Sequence, residues 1–189
     1  AVTPYEMYFT EVAALVFGLL FVFLRLRQSL WCWPVGLAYI APSLVLFYQW
    51  QFYSDFILHI IYIGTTAYGW WYWSRAKGSK ALIRLDESTV PITHIGIPAL
   101  VGSLVAIVLG TTVVGFLMNK YTNASFPFAD AFTTIGFLTA EFLSARKIFE
   151  NWYFWIVVNC VATTMYLIKG GGPYAGLYFV YILLAIGGA

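Results

Sequence analysis

Charge is what this chain has least of. Only 10% of its 189 residues are Asp, Glu, Lys or Arg, against roughly 25% in a soluble domain. The net charge of +2 is scattered in short clusters, so the basic stripe that a nucleic acid partner requires is missing. Cysteine is nearly absent. Cys32 and Cys160 both fall in apolar runs, form no CxxC pair and read as packing thiols. No His, Cys and carboxylate set has metal-ligand spacing, so neither metal nor cofactor is expected. A Gly-rich phosphate loop and a Ser/His/Asp arrangement are also missing, and enzymatic chemistry is not expected. The last apolar run holds no lysine, which excludes a retinal Schiff base there. Residues 1–11 carry Glu6 and Glu11 and no cationic start, unlike a secretory signal peptide. The chain opens on alanine, as expected of a trimmed or processed product.

Apolar side chains are plentiful. The chain is 61% hydrophobic and 20% aromatic, with a mean hydropathy of +0.80. That composition is that of an integral membrane protein. A hydrocarbon core of ~30 Å needs about 20 apolar residues per helix. Seven candidate spans meet that need, at about 7–24, 30–48, 55–74, 91–118, 128–145, 151–168 and 174–188. The fold class is therefore all-α integral membrane. Arg25, Arg27, Arg75, Lys77, Lys80, Arg84, Arg146 and Lys147 fall in loops on one side of the membrane, and only Lys120 and Lys169 on the other. The positive-inside rule then places the N-terminus outside and the C-terminus in the cytoplasm.

At an offset of 121 residues, Arg25, Trp31 and Tyr53 align with Arg146, Trp152 and Tyr174. The expected organisation is a first three-helix bundle over 1–84, a connector helix with its loops over 85–123, and a second three-helix bundle over 124–189. Units four helices apart enter the membrane in the same direction, which makes this a parallel repeat, one of the architectures of secondary transporters.

Two helix faces carry chemistry. Within NWYFWIVVN (151–159), Trp152, Trp155 and Asn159 stand at i, i+3 and i+7 and share one face. An aromatic belt at the membrane surface accounts for Trp152 but not for Asn159, because lipid offers a carboxamide no hydrogen bond. In the third span His59, Tyr62, Thr66, Gly69 and Trp73 share a face, with Trp70 at its margin. Such a face meets either a neighbouring helix or a water-filled cavity. Glu141 is read either as a partner for Arg146 and Lys147 or as a counter-charge for a cationic ligand. Asp130 fits a helix start, and Glu11 fits either an outer gate or a pairing partner. An aromatic-lined, weakly acidic cavity suits a flat heterocycle that bears hydroxyls or a positive charge.

WCWPVG (31–36), LFYQWQFYSDFILHIIY (46–62), YGWWYW (68–73), DAFTTIGFLTAEFLSARK (130–147) and NWYFWIVVN followed by YLIKG (166–170) resemble the Pnu-type bacterial vitamin transporters. Within that family they are most similar to the PnuC carriers of nicotinamide riboside. The resemblance covers nearly the whole chain apart from 76–125. It implies two parallel three-helix bundles joined by a connector in a SWEET-like architecture, and a homotrimer in the bacterial inner membrane. It also implies facilitated diffusion of a small vitamin precursor that a cytoplasmic kinase then traps. The family's substrate-contacting Trp and Asn fall on Trp152, Trp155 and Asn159, and its third-helix aromatic motif on Tyr68, Trp70 and Trp73. His59, Glu141 and Tyr72 depart from the pattern, where glutamine is expected. The cargo therefore stands between nicotinamide riboside, thiamine, riboflavin and nucleosides, with nicotinamide riboside first. Rival readings are a non-transporting receptor or assembly subunit, and a sugar carrier with the same repeat.

Overall fold

The structure, a computed structural model, describes residues 4–49, 53–75, 90–170 and 172–189. Among these, seven α-helices follow one another: α1 (Pro4–Leu26), α2 (Cys32–Gln49), α3 (Tyr53–Ser74), α4 (Ile97–Tyr121), α5 (Pro127–Ala145), α6 (Asn151–Ile168) and α7 (Gly172–Gly188). The expected spans match these to within a few residues at most ends. The linker over 76–89, with Lys77, Lys80, Arg84 and the expected boundary at 84, lies outside the described residues, as does the side chain of Glu11.

α4 and α6 are the two described helices of at least 18 residues that are apolar enough throughout to cross a bilayer, with mean hydropathies of 2.3 and 1.2 over their best windows. At 1.5 Å per residue, the 25 residues of α4 reach about 37 Å, longer than the hydrocarbon core, so tilt is the ordinary accommodation. α4 begins later than its apolar run. Pro91 and Pro98 flank a stretch in which residues 92–96 stay non-helical, because proline cannot supply the helical N–H.

The chain forms two units, Ala1–Pro91 and Ile92–Ala189. In the first, α2 packs against both α1 and α3; in the second, α5 packs against α4 and α6, and α6 against α7. The connector helix α4 therefore belongs physically to the second unit. Phe128 of α5 lies over Gly115 of α4, where an added Cβ would come within 2.5 Å of the ring.

Each unit repeats the other's construction, and the structure corrects the register of that repeat from 121 to 119. α1 and α5 end at residues 26 and 145, and α2 and α6 start at 32 and 151. Each pair is 119 apart. The turn after α1 bonds Gln28 N–H to the Arg25 carbonyl and Ser29 N–H to that of Leu24, both at 3.0 Å. The turn after α5 bonds Lys147 to Ser144 and Ile148 to Leu143, again at 3.0 Å. Gln28 and Lys147 take left-handed φ values of 54° and 53°. This is the Schellman ending of a helix with a non-glycine residue at its left-handed position.

Burial decides between the registers. Trp31, the 121-register partner of Trp152, is 53% exposed, whereas Trp33 and Trp152 are 0% and 6% exposed. Each of these two buried indoles lies against a glycine of the last helix of its unit. An added Cβ at Gly69 would fall 2.0 Å from Trp33, and one at Gly188 would fall 2.5 Å from Trp152. Gly69 and Gly188 are also 119 apart. Residue-type matching alone chose the arginines and the wrong tryptophan.

The non-helical segment before α4 straps the α5–α6 turn. Thr93 N–H donates to the Lys147 carbonyl at 3.0 Å, and Phe149 N–H donates to the Thr93 carbonyl at 2.8 Å. Ile95 N–H donates to Glu150 Oε2, and His94 Nδ1 lies against Glu150 Oε1, both at 2.9 Å. Partial burial raises the Glu150 pKa, but the hydrogen bonds from His94, Ile95 and its own backbone N–H, with the charge of His94, bring it below 4.5 overall. A depressed carboxylate contributes stability above its unfolded pKa and loses it as pH falls through the folded value. Glu150→Gln is therefore expected to lower the unfolding temperature at pH 7, with the gap closing below pH 4.5. Thermal unfolding in detergent from pH 7 to 3.5 tests this, and a gap independent of pH would refute it.

Candidate functional site

The candidate residues divide between the two units. In the first unit, α3 presents the expected face, with His59, Thr66, Gly69 and Trp73 all buried. Within the unit, α2 meets that face. His59 Nε2 lies 3.2 Å from the Tyr39 hydroxyl, and its ring is 5.4 Å from that of Tyr62. Thr66 turns its methyl toward Gly36. Trp73 meets Trp33 edge to face at 5.1 Å, and the Arg25 guanidinium lies over the Trp33 ring, 4.8 Å from its centroid. A T-shaped indole pair under a cation is a favourable use of the ring quadrupoles. Trp70 is exposed, as is Trp71, which carries Arg75 over its face at 3.8 Å. Tyr68 stacks on Tyr72 at 6.1 Å.

In the second unit, Glu141, Trp152 and Asn159 are buried and Trp155 is half-buried. Trp152 is committed to Gly188 of α7. Trp155 instead ends an aromatic ladder: its ring is 5.6 Å from Phe137, Phe137 stacks on Tyr178 at 5.9 Å, and Tyr178 stacks on Tyr166 at 5.3 Å. Helical spacing puts Phe137, Glu141 and Ser144 on one face of α5, and all three are buried.

One turn beyond Trp155, Asn159 is 1% exposed. Its Nδ2 donates to the Trp155 carbonyl at 2.8 Å, and its Oδ1 is buried with no hydrogen-bond partner. A buried acceptor left unsatisfied costs about 1–3 kcal/mol, so this oxygen is poised for a donor from elsewhere. An indole beside a lone acceptor can stack a flat ring on its face while the acceptor takes a hydrogen bond from the ligand's hydroxyl or amide N–H. The ladder offers no nucleophile paired with a base, and the described residues hold no cluster of three or more metal-ligating side chains.

Sequence reasoning missed Ser144 and Asn151. Ser144 Oγ accepts from the Trp155 indole N–H at 3.1 Å and stands 2.9 Å from Asn151 Oδ1. Both lie in the quoted motifs, but neither residue type stood out in an apolar segment until the α5–α6 pairing brought them together. Tyr39 and Trp33 were missed for the same reason.

Among known proteins, the family described as nicotinamide mononucleotide transporter matches residues 8–189. The nicotinamide riboside transporter PnuC of Escherichia coli is 22% identical over 206 residues, covering 98% of this chain and 85% of the relative. The riboflavin/roseoflavin transporter RibM of Streptomyces davaonensis is 27% identical over 179 residues, covering 92% and 78%. A crystal structure of the vitamin B3 transporter PnuC is similar at a TM-score of 0.75 and 21% identity, covering 98% of this chain and 80% of its own. At that identity the likeness establishes the fold alone.

Proposed function

Because this chain belongs to the nicotinamide mononucleotide transporter family, and is thus a membrane transporter and not an enzyme, we propose that its cargo is a flat, hydroxyl-bearing vitamin precursor, with nicotinamide riboside first. The observation that carries this reading is the pairing of the Trp155 edge with the unpartnered Asn159 oxygen one turn away. A pyridinium ring stacks on an indole face, a ribose hydroxyl donates to the carboxamide oxygen, and Glu141 supplies a carboxyl on the adjoining helix. The remaining candidates, Trp152 in the second unit and His59, Tyr62, Thr66, Trp70 and Trp73 in the first, are each proposed as substrate-contacting residues of their own unit. Riboflavin is the second reading, supported by the 27% identity to RibM. Its neutral, bulkier ring gains less from Glu141. Thiamine, a cation like nicotinamide riboside, is a third.

Transport proceeds by facilitated diffusion with alternating access in this reading. The division into bundles over 1–84 and 124–189, SWEET-like in this reading, is supported by the 119-residue construction that the two share. The connector over 85–123 moves with the second bundle, since α4 packs on α5. The basic loops favour a cytoplasmic C-terminus and an outside N-terminus in the bacterial inner membrane. A homotrimer, and trapping of the cargo by a cytoplasmic kinase, complete the proposal.

Titration of purified protein with nicotinamide riboside, thiamine and riboflavin tests it, followed through tryptophan fluorescence corrected for absorbance. Saturable quenching by nicotinamide riboside, lost in Trp155→Ala, is the expected result. Quenching by riboflavin alone would move the cargo to the second reading. No saturable quenching by any of the three would overturn the ligand site.

A further inference from the structure

Ser144 is nearly sealed from solvent, at 3% exposure, yet its hydroxyl stands among three polar neighbours. The Trp155 Nε1–H donates to it at 3.1 Å. Its own single proton can go to the Ala140 carbonyl at 2.8 Å or to Asn151 Oδ1 at 2.9 Å. Asn151 is oriented in turn, because its Nδ2 donates to the Ile148 carbonyl at 2.6 Å. With Nδ2 committed there, Oδ1 faces Ser144 and offers an acceptor for the hydroxyl proton. Whichever acceptor takes the proton, an Oγ lone pair is left to accept from the indole.

Ile148 lies in the turn that the strap holds, between the Lys147 carbonyl and Phe149 N–H that bond to Thr93. The hydrogen bonds therefore run continuously from the turn, through Asn151 and Ser144, to the edge of the Trp155 ring. A tryptophan side chain has two rotatable torsions. Phe137 lies 5.6 Å from this half-buried ring, and a ring contact by itself does not fix the second torsion. A bond at Nε1 closes that freedom and sets the plane against which a ligand would stack.

We infer that Ser144, held by Asn151, is a positioning residue that fixes the Trp155 indole in the orientation required for cargo stacking. This rests on the ligand reading above and deepens it. Preorganising a contact residue raises affinity by removing the ordering cost from the binding step. Ser144 touches no cargo in this arrangement, so its effect must pass entirely through the indole N–H.

The test is a double-mutant cycle read as the affinity for nicotinamide riboside by calorimetry. Ser144→Ala removes the acceptor, and Trp155→Phe keeps an aromatic ring without the N–H. Each is expected to weaken binding roughly tenfold, the scale of one neutral hydrogen bond. The double variant is expected to be no weaker than either single variant, because both remove the same interaction. In the ligand-free protein, the ultraviolet resonance Raman band that reports indole N–H bonding should shift in Ser144→Ala. Affinity losses that multiply to about a hundredfold in the double variant, or wild-type affinity in Ser144→Ala, would overturn the positioning role while leaving the ligand reading intact. Wild-type protein that binds none of nicotinamide riboside, thiamine and riboflavin would overturn both. If Ser144→Ala cannot be purified, Ser144→Cys takes its place in the cycle with the same expectation, because a thiol is a weak acceptor.

Discussion

Asn159→Ala is expected to abolish measurable uptake without lowering the unfolding temperature. The two halves of that outcome come from the two ends of one carboxamide. Nδ2 bonds a carbonyl of its own helix, that of Trp155, which already accepts from the helical backbone and loses little when the side chain goes. Oδ1 is buried with no partner, and removing an unsatisfied acceptor relieves a cost of about 1–3 kcal/mol. The volume lost is small and is offset by that relief. When cargo donates to Oδ1, the same oxygen is satisfied, and the variant forfeits that bond. A loss of about 1.5–3 kcal/mol corresponds to roughly 10- to 150-fold in affinity, and misplacement of the ring against Trp155 adds to it. Uptake of labelled nicotinamide riboside into proteoliposomes, beside thermal unfolding in detergent, separates the halves. Wild-type uptake in Asn159→Ala would remove Asn159 from the site, and a large fall in unfolding temperature would make it a structural residue.

Gly69→Ala is expected to be the most destabilising single methyl addition in the first unit. The new Cβ would meet three atoms of the Trp33 ring, at 2.0, 2.4 and 2.5 Å. Trp33 is fully buried, in a T-shaped pair with Trp73 and with Arg25 over its ring. The ring cannot swing into open space, so α2 and α3 must part. Overpacking of a tight core costs about 1–3 kcal/mol, and this site belongs at the upper end of that range. Gly188→Ala makes the analogous clash with Trp152, but Gly188 is the last residue of α7. A helix terminus frays and moves at little cost, so its effect should be less than half as large. Unfolding temperatures of the two variants measured side by side decide the matter. Equal losses would mean that the C-terminal turn of α7 is as rigid as the middle of the first unit.

The comparison of these glycines shows where sequence reading stops. Apolar run lengths and short polar breaks located the helices, because a helix in lipid must satisfy its own backbone within one segment. Residue spacing also placed His59, Thr66, Gly69 and Trp73 on one face, and Trp155 and Asn159 on another, since the 3.6-residue period is local. The quoted stretches taken in their order, the strongest being WxxWxxxN with the arginine-lysine pair before it, were together sufficient to name the family. None of that says what each face meets.

The sequence by itself determined the class of protein, the helix spans and which side chains share a face. Tertiary structure alone decided that Trp33, not Trp31, is the counterpart of Trp152, because burial against a distant glycine distinguishes two tryptophans of the same type. It decided that Ser144 holds the Trp155 indole, that Glu150 receives the strap before α4, and that one oxygen of Asn159 has no partner. Each depends on which helix packs against which. Such pairing joins residues tens of positions apart, and no local period encodes it.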